Sequence, residues 1–154
     1  MIRETFLALL LAMTLAAPAQ SEPSNALHVS KDPSCVCCAE WVSLMEEAEF
    51  EVSVTDMPNS QLSRLKAASG VTPELASCHT ATIDGYVIEG HVPAEDIKRL
   101  LAERPTAIGL TAPGMPIGSP GMGPEATREA YDVLLIGEEG QTEVFSSYAA
   151  GPGR

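Results

Sequence analysis

The sequence has 154 residues, a formal net charge of −12 at pH 7 and four cysteines. A chain of this length is most simply one domain. Its 45% hydrophobic and 19% charged residues indicate a globular protein rather than a disordered one. The strong negative charge excludes nucleic acid as a partner, because nucleic-acid binding depends on Lys and Arg side chains that neutralise phosphates. Four cysteines are too few for a disulfide-dense scaffold, so their positions carry the information.

Residues 1–19 have the pattern of a cleavable secretory signal peptide. Arg3 supplies a positive start, Thr5 to Ala17 is apolar, and Ala17-Pro18-Ala19 fits the rule for small residues at a cleavage site. The apolar run is shorter than the roughly 20 residues that span a membrane, so an uncleaved anchor is the less favoured alternative. We therefore expect residues 20–154 to be a single periplasmic domain with no contact to the membrane. In that oxidising compartment thiols persist only if they are paired, metallated or functional.

The first half of the mature sequence predicts a βαβα order. Residues 26–30 are predicted to form a strand, and Pro33 suits the start of a helix. Residues 50–55 alternate between apolar and polar side chains and predict a second strand, and residues 61–69 predict a second helix.

A hairpin and a third helix are predicted to follow. Residues 80–83 and 86–89 flank Asp84-Gly85, a strong signal for a tight turn between two strands. A helix is predicted over residues 94–104, with Pro93 at its start. The order βαβα-ββα predicts an α/β fold of the thioredoxin-like sandwich type.

The C-terminal third has a different composition. Ten of the twenty residues in 105–124 are Pro or Gly, which predicts a loop rich in Pro, Gly and Met that is long enough to be functional. Residues 131–136 and 142–147 then predict a second hairpin, and we expect it to extend the sheet at an edge.

Three of the four cysteines lie in the run Cys35-Val36-Cys37-Cys38, between the first predicted strand and the first predicted helix. A helix N-terminus offers free N–H groups and the positive end of the helix dipole, so it favours the thiolate that attacks disulfides or binds metal. Cys35 and Cys38 have the C-x-x-C spacing of thiol oxidoreductases. A plain dithiol catalyst has no use for Cys37, so the run indicates a different chemistry.

The fourth thiol, Cys78, comes just before the predicted hairpin and is followed by His79. In a thioredoxin-like fold this segment packs against the start of the first helix, so we expect Cys78 to reach the other three thiols. Four thiolates and an imidazole suit Zn²⁺ or Cu(I). Because the adjacent Cys37 and Cys38 are not expected to reach one tetrahedral centre together, the spacing favours Cu(I), bound as one ion or several.

Further donors are candidates for a secondary metal site or for support of the first. Met115 and Met122 offer soft thioether ligands from the Pro/Gly segment, although Met side chains also fill gaps in a core. His79 and His91 offer imidazoles. A structural alternative stays open, in which the four cysteines form two disulfides that staple an interaction module.

Several motifs resemble the CopG-like family, a group of periplasmic metal-binding proteins defined as a family of unknown function. The resemblance spans about residues 27–148 and implies a thioredoxin-like fold and a role in bacterial resistance to copper or a related heavy metal. It also implies that all four cysteines are metal and redox ligands. Val36 stands where such proteins often have a Gly-like residue, which is expected to affect packing more than chemistry. The matching motifs are Asp32 to Cys38 with Trp41, Ser77 to Thr80, Asp84 to Pro93, and Pro113 to Met122.

The leading hypothesis is a periplasmic copper-binding protein that holds Cu(I) at Cys35, Cys37, Cys38 and Cys78, with copper and thiol redox activity as an extension. Its expected partners are metal ions and other periplasmic proteins that handle copper. The alternative hypothesis is a thiol–disulfide oxidoreductase that acts through Cys35 and Cys38. Metal binding is favoured over enzymatic catalysis because the latter leaves two thiols unexplained.

Overall fold

The computed structural model describes residues 25–153. The predicted signal peptide lies outside these residues. Within the described part of the chain, no helix combines the length and the apolar character needed to cross a membrane.

The first half of the described chain has the predicted βαβα order, with boundaries within two residues of those expected except at the start of the first helix. Strands β1 and β2 pair in parallel, and helix α1 connects them. The elements are β1 (Ala26–Lys31), α1 (Val36–Glu47), β2 (Glu51–Asp56) and α2 (Asn59–Ala68).

The second half adds five strands and one α-helix. The predicted hairpin forms through Asp84 and Gly85, which both have positive φ, and the C-terminal hairpin lies at one edge of the sheet as predicted. Across residues 25–153 the sheet has seven strands in the order β2-β1-β3-β4-β5-β6-β7. The added elements are β3 (His79–Ile83), β4 (Tyr86–Gly90), α3 (Ala94–Glu103), β5 (Gly109–Ala112), β6 (Tyr131–Ile136) and β7 (Thr142–Tyr148).

Strand β5 corrects the prediction that residues 105–124 form a loop throughout. It pairs in parallel with β4 and antiparallel with β6, and all four of its residues are buried. The surrounding Pro and Gly residues conceal this short strand, and one of them is needed within it. A Cβ at Gly109 would clash with the backbone of Val87, so the close approach of β5 to β4 requires glycine. The loop that remains, residues 113–124, leads into a short 3₁₀ helix, Glu125–Thr127.

The main core lies between the sheet and the helices α1 and α3. Trp41 and Met45 of α1 pack in the same cluster as Ile97 and Leu100 of α3. Trp41 is fully buried, and its indole N–H donates to the carbonyl of Val92 at 2.9 Å. This contact holds the N-terminal half of α1 against the segment between β4 and α3, where the candidate site lies.

Candidate metal centre

The four cysteines converge where β1 ends and β3 begins. Lys31 at the end of β1 pairs with His79 at the start of β3, so the turn after β1 lies beside Cys78. The Sγ atoms of Cys35 and Cys37 are 3.6 Å apart, and those of Cys37 and Cys78 are 4.0 Å apart. The expectation that Cys78 reaches the other three thiols is met.

All four sulfur atoms lie within 4.8 Å of one another. The expectation that Cys37 and Cys38 cannot approach one centre together is therefore wrong.

One pair of cysteines is oxidised. Cys35 and Cys38 form a disulfide, whereas Cys37 and Cys78 are free thiols. This differs from the alternative of two structural disulfides. Because metal ligation requires thiolates, all four sulfur atoms can act as ligands only after the disulfide has been reduced.

Two histidines complete the surroundings of Cys78. Its Sγ lies 3.4 Å from Nδ1 of His79 and 3.0 Å from Nε2 of His91. The Nδ1 of His91 is 2.8 Å from the carbonyl oxygen of Pro120. A carbonyl can only accept, so Nδ1 carries the proton and Nε2 presents its lone pair to the sulfur of Cys78. These three residues form a second group whose potential ligand atoms lie within 4.8 Å of one another.

His79 is fully buried between two rings. Its ring centroid lies 4.5 Å from that of Trp41 and 5.1 Å from that of His91. Among the described residues, its Nε2 is the buried side-chain polar atom without a hydrogen-bond partner. Burial, followed by the charges of His91 and Lys66, holds the pKa of His79 well below its usual range. Burial also lowers the pKa of His91. Both imidazoles are therefore kept neutral, which is the form that ligates metal.

The Cys78 thiol is protonated in the metal-free protein. Burial raises its pKa to about 12, and the charge of neighbouring Cys37 acts in the same direction. A thiolate at this position needs a compensating positive charge, which a bound cation supplies. A metal ion bound here would therefore displace the Cys78 proton.

The loop after β5 borders the site on two sides. Ser77, next to Cys78, donates its hydroxyl to the carbonyl of Gly114, and Gly121 packs against the carbonyl of Cys37. Met115 and Met122 directly follow these two glycines. Met115 is 53% exposed and Met122 is half-buried, and ligation by either sulfur stays a prediction.

A buried ion pair supports the cysteine segment and has no counterpart in the sequence-based prediction. Glu89, which is fully buried, accepts hydrogen bonds from the Nζ of Lys66 at 2.5 Å, the hydroxyl of Thr80 at 2.7 Å and the backbone N–H of Ser77 at 2.6 Å. The last contact fixes the residue that precedes Cys78. A lone Glu inside the apolar strand Tyr86–Gly90 is the sequence signal that could have revealed it.

The lowered pKa values predict acid sensitivity of the metal-free protein. His79 ionises at 6.5 in an unfolded chain, but the folded chain resists protonation. Below pH 6.5 the unfolded state therefore takes up protons that the folded state does not, and the free energy of unfolding decreases as the pH falls. We expect the free energy of unfolding, measured by urea denaturation between about pH 7.5 and 5.5, to depend less steeply on pH for His79→Gln than for the unmodified chain. His28→Gln, on the exposed face of β1, is the control. If it changes the pH dependence of the unfolding free energy as much as His79→Gln does, that dependence does not come from His79.

Comparison with known proteins places this geometry in a family. A protein family of unknown function, DUF411, matches residues 75–122, the stretch that contains Cys78, both histidines and the following loop. No curated protein sequence matches the chain. The solved structure named "Copper resistance protein copG- Form 1" is 40% identical, with a TM-score of 0.76 over 84% of this chain and 100% of its own.

The chain belongs to the CopG family of copper resistance proteins. A second structure, "Copper resistance protein copG- Form 2", is also 40% identical, with a TM-score of 0.75 over 82% of this chain and 99% of its own. The resemblance read from the motifs is therefore confirmed. The mixed α/β class is confirmed as well, because the CopG structures span nearly the whole described fold.

Proposed function

We propose that the mature chain, residues 20–154, is a periplasmic copper-binding protein that protects the cell against copper. It holds Cu(I) through Cys35, Cys37, Cys38 and Cys78. The observation that carries this proposal is the approach of all four sulfur atoms to within 4.8 Å of one another at the edge of the sheet. Membership of a copper resistance family supports copper as the metal, and soft thiolate ligands suit Cu(I).

The surroundings of the thiols support cation binding. The neutral imidazoles of His79 and His91 are available as additional donors, and the Cys78 proton is one that a cation can displace. His91 is oriented by the Pro120 carbonyl, as ligating histidines are commonly oriented by a partner on the other ring nitrogen. The predicted signal peptide supports export to the periplasm.

The disulfide gives the site two thiol oxidation states. Reduction of the Cys35–Cys38 bond consumes two electrons and two protons and converts two bridged sulfurs into two thiols. We propose that the oxidised form binds copper weakly and the reduced form strongly. The same bond supports the alternative function, thiol–disulfide exchange through Cys35 and Cys38. In that case the two free cysteines would be dispensable for turnover.

A competition titration tests the copper proposal. The fully reduced protein is titrated with Cu(I) against a chelator of known affinity. Cys78→Ser is expected to weaken binding by more than the roughly 10–100-fold that follows loss of a group supporting a metal ligand. His91→Asn should weaken binding less than Cys78→Ser, and His28→Asn should leave it unchanged. Equal affinities for the unmodified chain and Cys78→Ser would reject the proposed site.

The alternative is tested by disulfide exchange with a model protein substrate. Full turnover by a variant that lacks Cys37 and Cys78 would favour the oxidoreductase. Loss of copper binding by that same variant without loss of turnover would separate the two functions.

A further inference from the structure

The Cys35–Cys38 disulfide can be approached from one side. Cys38, in the first turn of α1, is fully buried, whereas Cys35, just before that helix, is partly exposed. In thiol–disulfide exchange the incoming thiolate must reach the sulfur that it attacks. The exposure therefore selects Cys35 as the sulfur attacked and Cys38 as the leaving group.

A cavity of about 470 Å³ opens onto Cys35. This volume lies at the small end of the range for small-molecule sites, which is roughly 300–1,000 Å³. The lining combines polar and apolar surface, and it includes three hydroxyls and one amide beside the two sulfur-bearing residues Cys35 and Cys78. The polar side chains include Ser34, Asn59, Ser63 and Ser77.

We propose that this cavity binds a low-molecular-weight thiol that reduces the Cys35–Cys38 disulfide. The inference rests on the proposed function in one respect, since reduction frees the thiolates that copper binding needs. The step itself is ordinary thiol chemistry and uses no metal. The cavity thus lets a soluble reductant reach the disulfide of the oxidised protein.

The exchange is balanced in two steps. The thiolate of the first small thiol attacks the Sγ of Cys35, a new S–S bond forms, and the Cys35–Cys38 bond breaks with its electron pair leaving on Cys38. The N-terminal turn of α1 stabilises this leaving thiolate. A second small thiolate then attacks the small-thiol sulfur of the mixed disulfide. The products are one small-molecule disulfide and the thiolates of Cys35 and Cys38, so two small thiols are oxidised for one protein disulfide reduced.

The charges around the cavity select among small thiols. Asp32 lines the cavity and accepts hydrogen bonds from the backbone N–H and the hydroxyl of Ser34, which lower the pKa of its carboxyl. The Lys66 ammonium, also in the lining, is already paired with Glu89. The chain carries a net charge of −12. A small thiol with an ammonium group is therefore favoured over one with an anionic group.

The test measures reduction of the disulfide-bonded protein without copper. Cysteamine and 2-mercaptoethanesulfonate are similar in size and opposite in charge, and free protein thiols are followed by alkylation and mass spectrometry. Cysteamine is expected to react faster even after the rates are corrected for the thiolate fraction of each reagent. The advantage should shrink in Asp32→Asn and at high salt.

The second part of the test fills the cavity with a larger side chain. Ser63→Phe should slow reduction by both reagents about tenfold, the change that corresponds to a loss of about 1.4 kcal/mol of binding free energy. Ser43→Phe is the matched control. Both serines lie on exposed helix positions and donate to the carbonyl four residues earlier, but only Ser63 lines this cavity. Equal rates for the two Phe variants would overturn the proposal.

Mapping the mixed disulfide keeps the test independent of how the Phe variants fold. Brief exposure of the unmodified protein to cysteamine, followed by acid quenching and peptide analysis, should place the adduct on Cys35. An adduct on Cys38 would overturn the proposal. Copper affinity is measured separately on protein reduced with a phosphine, so a failure of small-thiol reduction and a failure of copper binding remain distinguishable.

Discussion

Glu89→Ala is expected to lower the free energy of unfolding by about 3–5 kcal/mol, the range for removing one partner of a buried ion pair. The side chain is fully buried, and that of its partner Lys66 is only 9% exposed. The substitution leaves the Lys66 ammonium without its counter-ion. It also removes the acceptor of the Thr80 hydroxyl and of the Ser77 N–H. Urea denaturation of the metal-free protein measures the loss.

Two further variants separate the effect of the lost charge from the effect of the lost side-chain volume on the free energy of unfolding. Lys66→Met combined with Glu89→Leu removes both charges and keeps apolar bulk, so most of the lost stability should return. Glu103→Ala is the control for removing a Glu from an ion pair. Its pair with Arg99 is exposed on α3, and the loss there should stay within about 1 kcal/mol. If Glu89→Ala and Glu103→Ala lower the free energy of unfolding by the same amount, the buried ion pair does not stabilise the fold.

The same variant has a consequence at the cysteines. Glu89 fixes the N–H of Ser77, and Ser77 directly precedes Cys78. Freeing this segment allows Cys78 to move relative to Cys37, so Glu89→Ala should also weaken Cu(I) binding. Glu89→Gln keeps an acceptor for the Ser77 N–H. It should therefore retain more copper affinity than Glu89→Ala even where its stability is reduced.

The elements of the fold that could be predicted from the sequence carry strong local signals. Asp84-Gly85 specifies the β3–β4 hairpin, and both residues adopt the positive φ that such a turn requires. Alternation of apolar and polar residues indicates β2, and two short strand-like runs on either side of Gly137-Glu138-Glu139-Gly140 indicate the C-terminal hairpin. Strand β5 could not be predicted, because its four residues lie among Pro and Gly and their burial arises from pairing with β4 and β6.

The candidate site was predictable to the extent that its ligands cluster in sequence or follow from the fold. Three thiols lie within the four residues Cys35–Cys38, and Cys78 is brought to them by the pairing of β1 with β3. The contacts that tune the site are long-range and leave no local pattern. The Pro120 carbonyl that orients His91 is one example, and the Glu89 carboxylate that fixes Ser77 is another.

Gly121→Ala is expected to destabilise the protein by roughly 2–5 kcal/mol and to weaken Cu(I) binding. Gly121 has a φ of +81°, where an L-residue is strained by about 1–2 kcal/mol. A Cβ there would lie 2.8 Å from the Cys37 carbonyl oxygen and 2.8 Å from the Trp41 nitrogen. Both are backbone atoms of α1 that cannot move aside, and such overpacking adds about 1–3 kcal/mol.

The loop must therefore lift from α1 in this variant. Pro120 would move with it, and His91 would lose the carbonyl that holds its Nδ1 proton and directs Nε2 at Cys78. Loss of such a supporting contact typically weakens metal binding about 10–100-fold. A chelator competition on the reduced protein, together with urea denaturation of the metal-free form, measures both effects.

Gly123→Ala separates backbone strain from the clash. Gly123 has a φ of +93°, but a Cβ there would meet no atom within 4 Å. Strain alone, about 1–2 kcal/mol, is expected for this variant, with copper affinity close to that of the unmodified chain. If the two Ala variants bind Cu(I) equally well, the contact between the loop and α1 does not orient His91. A selective loss in Gly121→Ala would instead mean that a loop without a cysteine sets the geometry of the cysteine site.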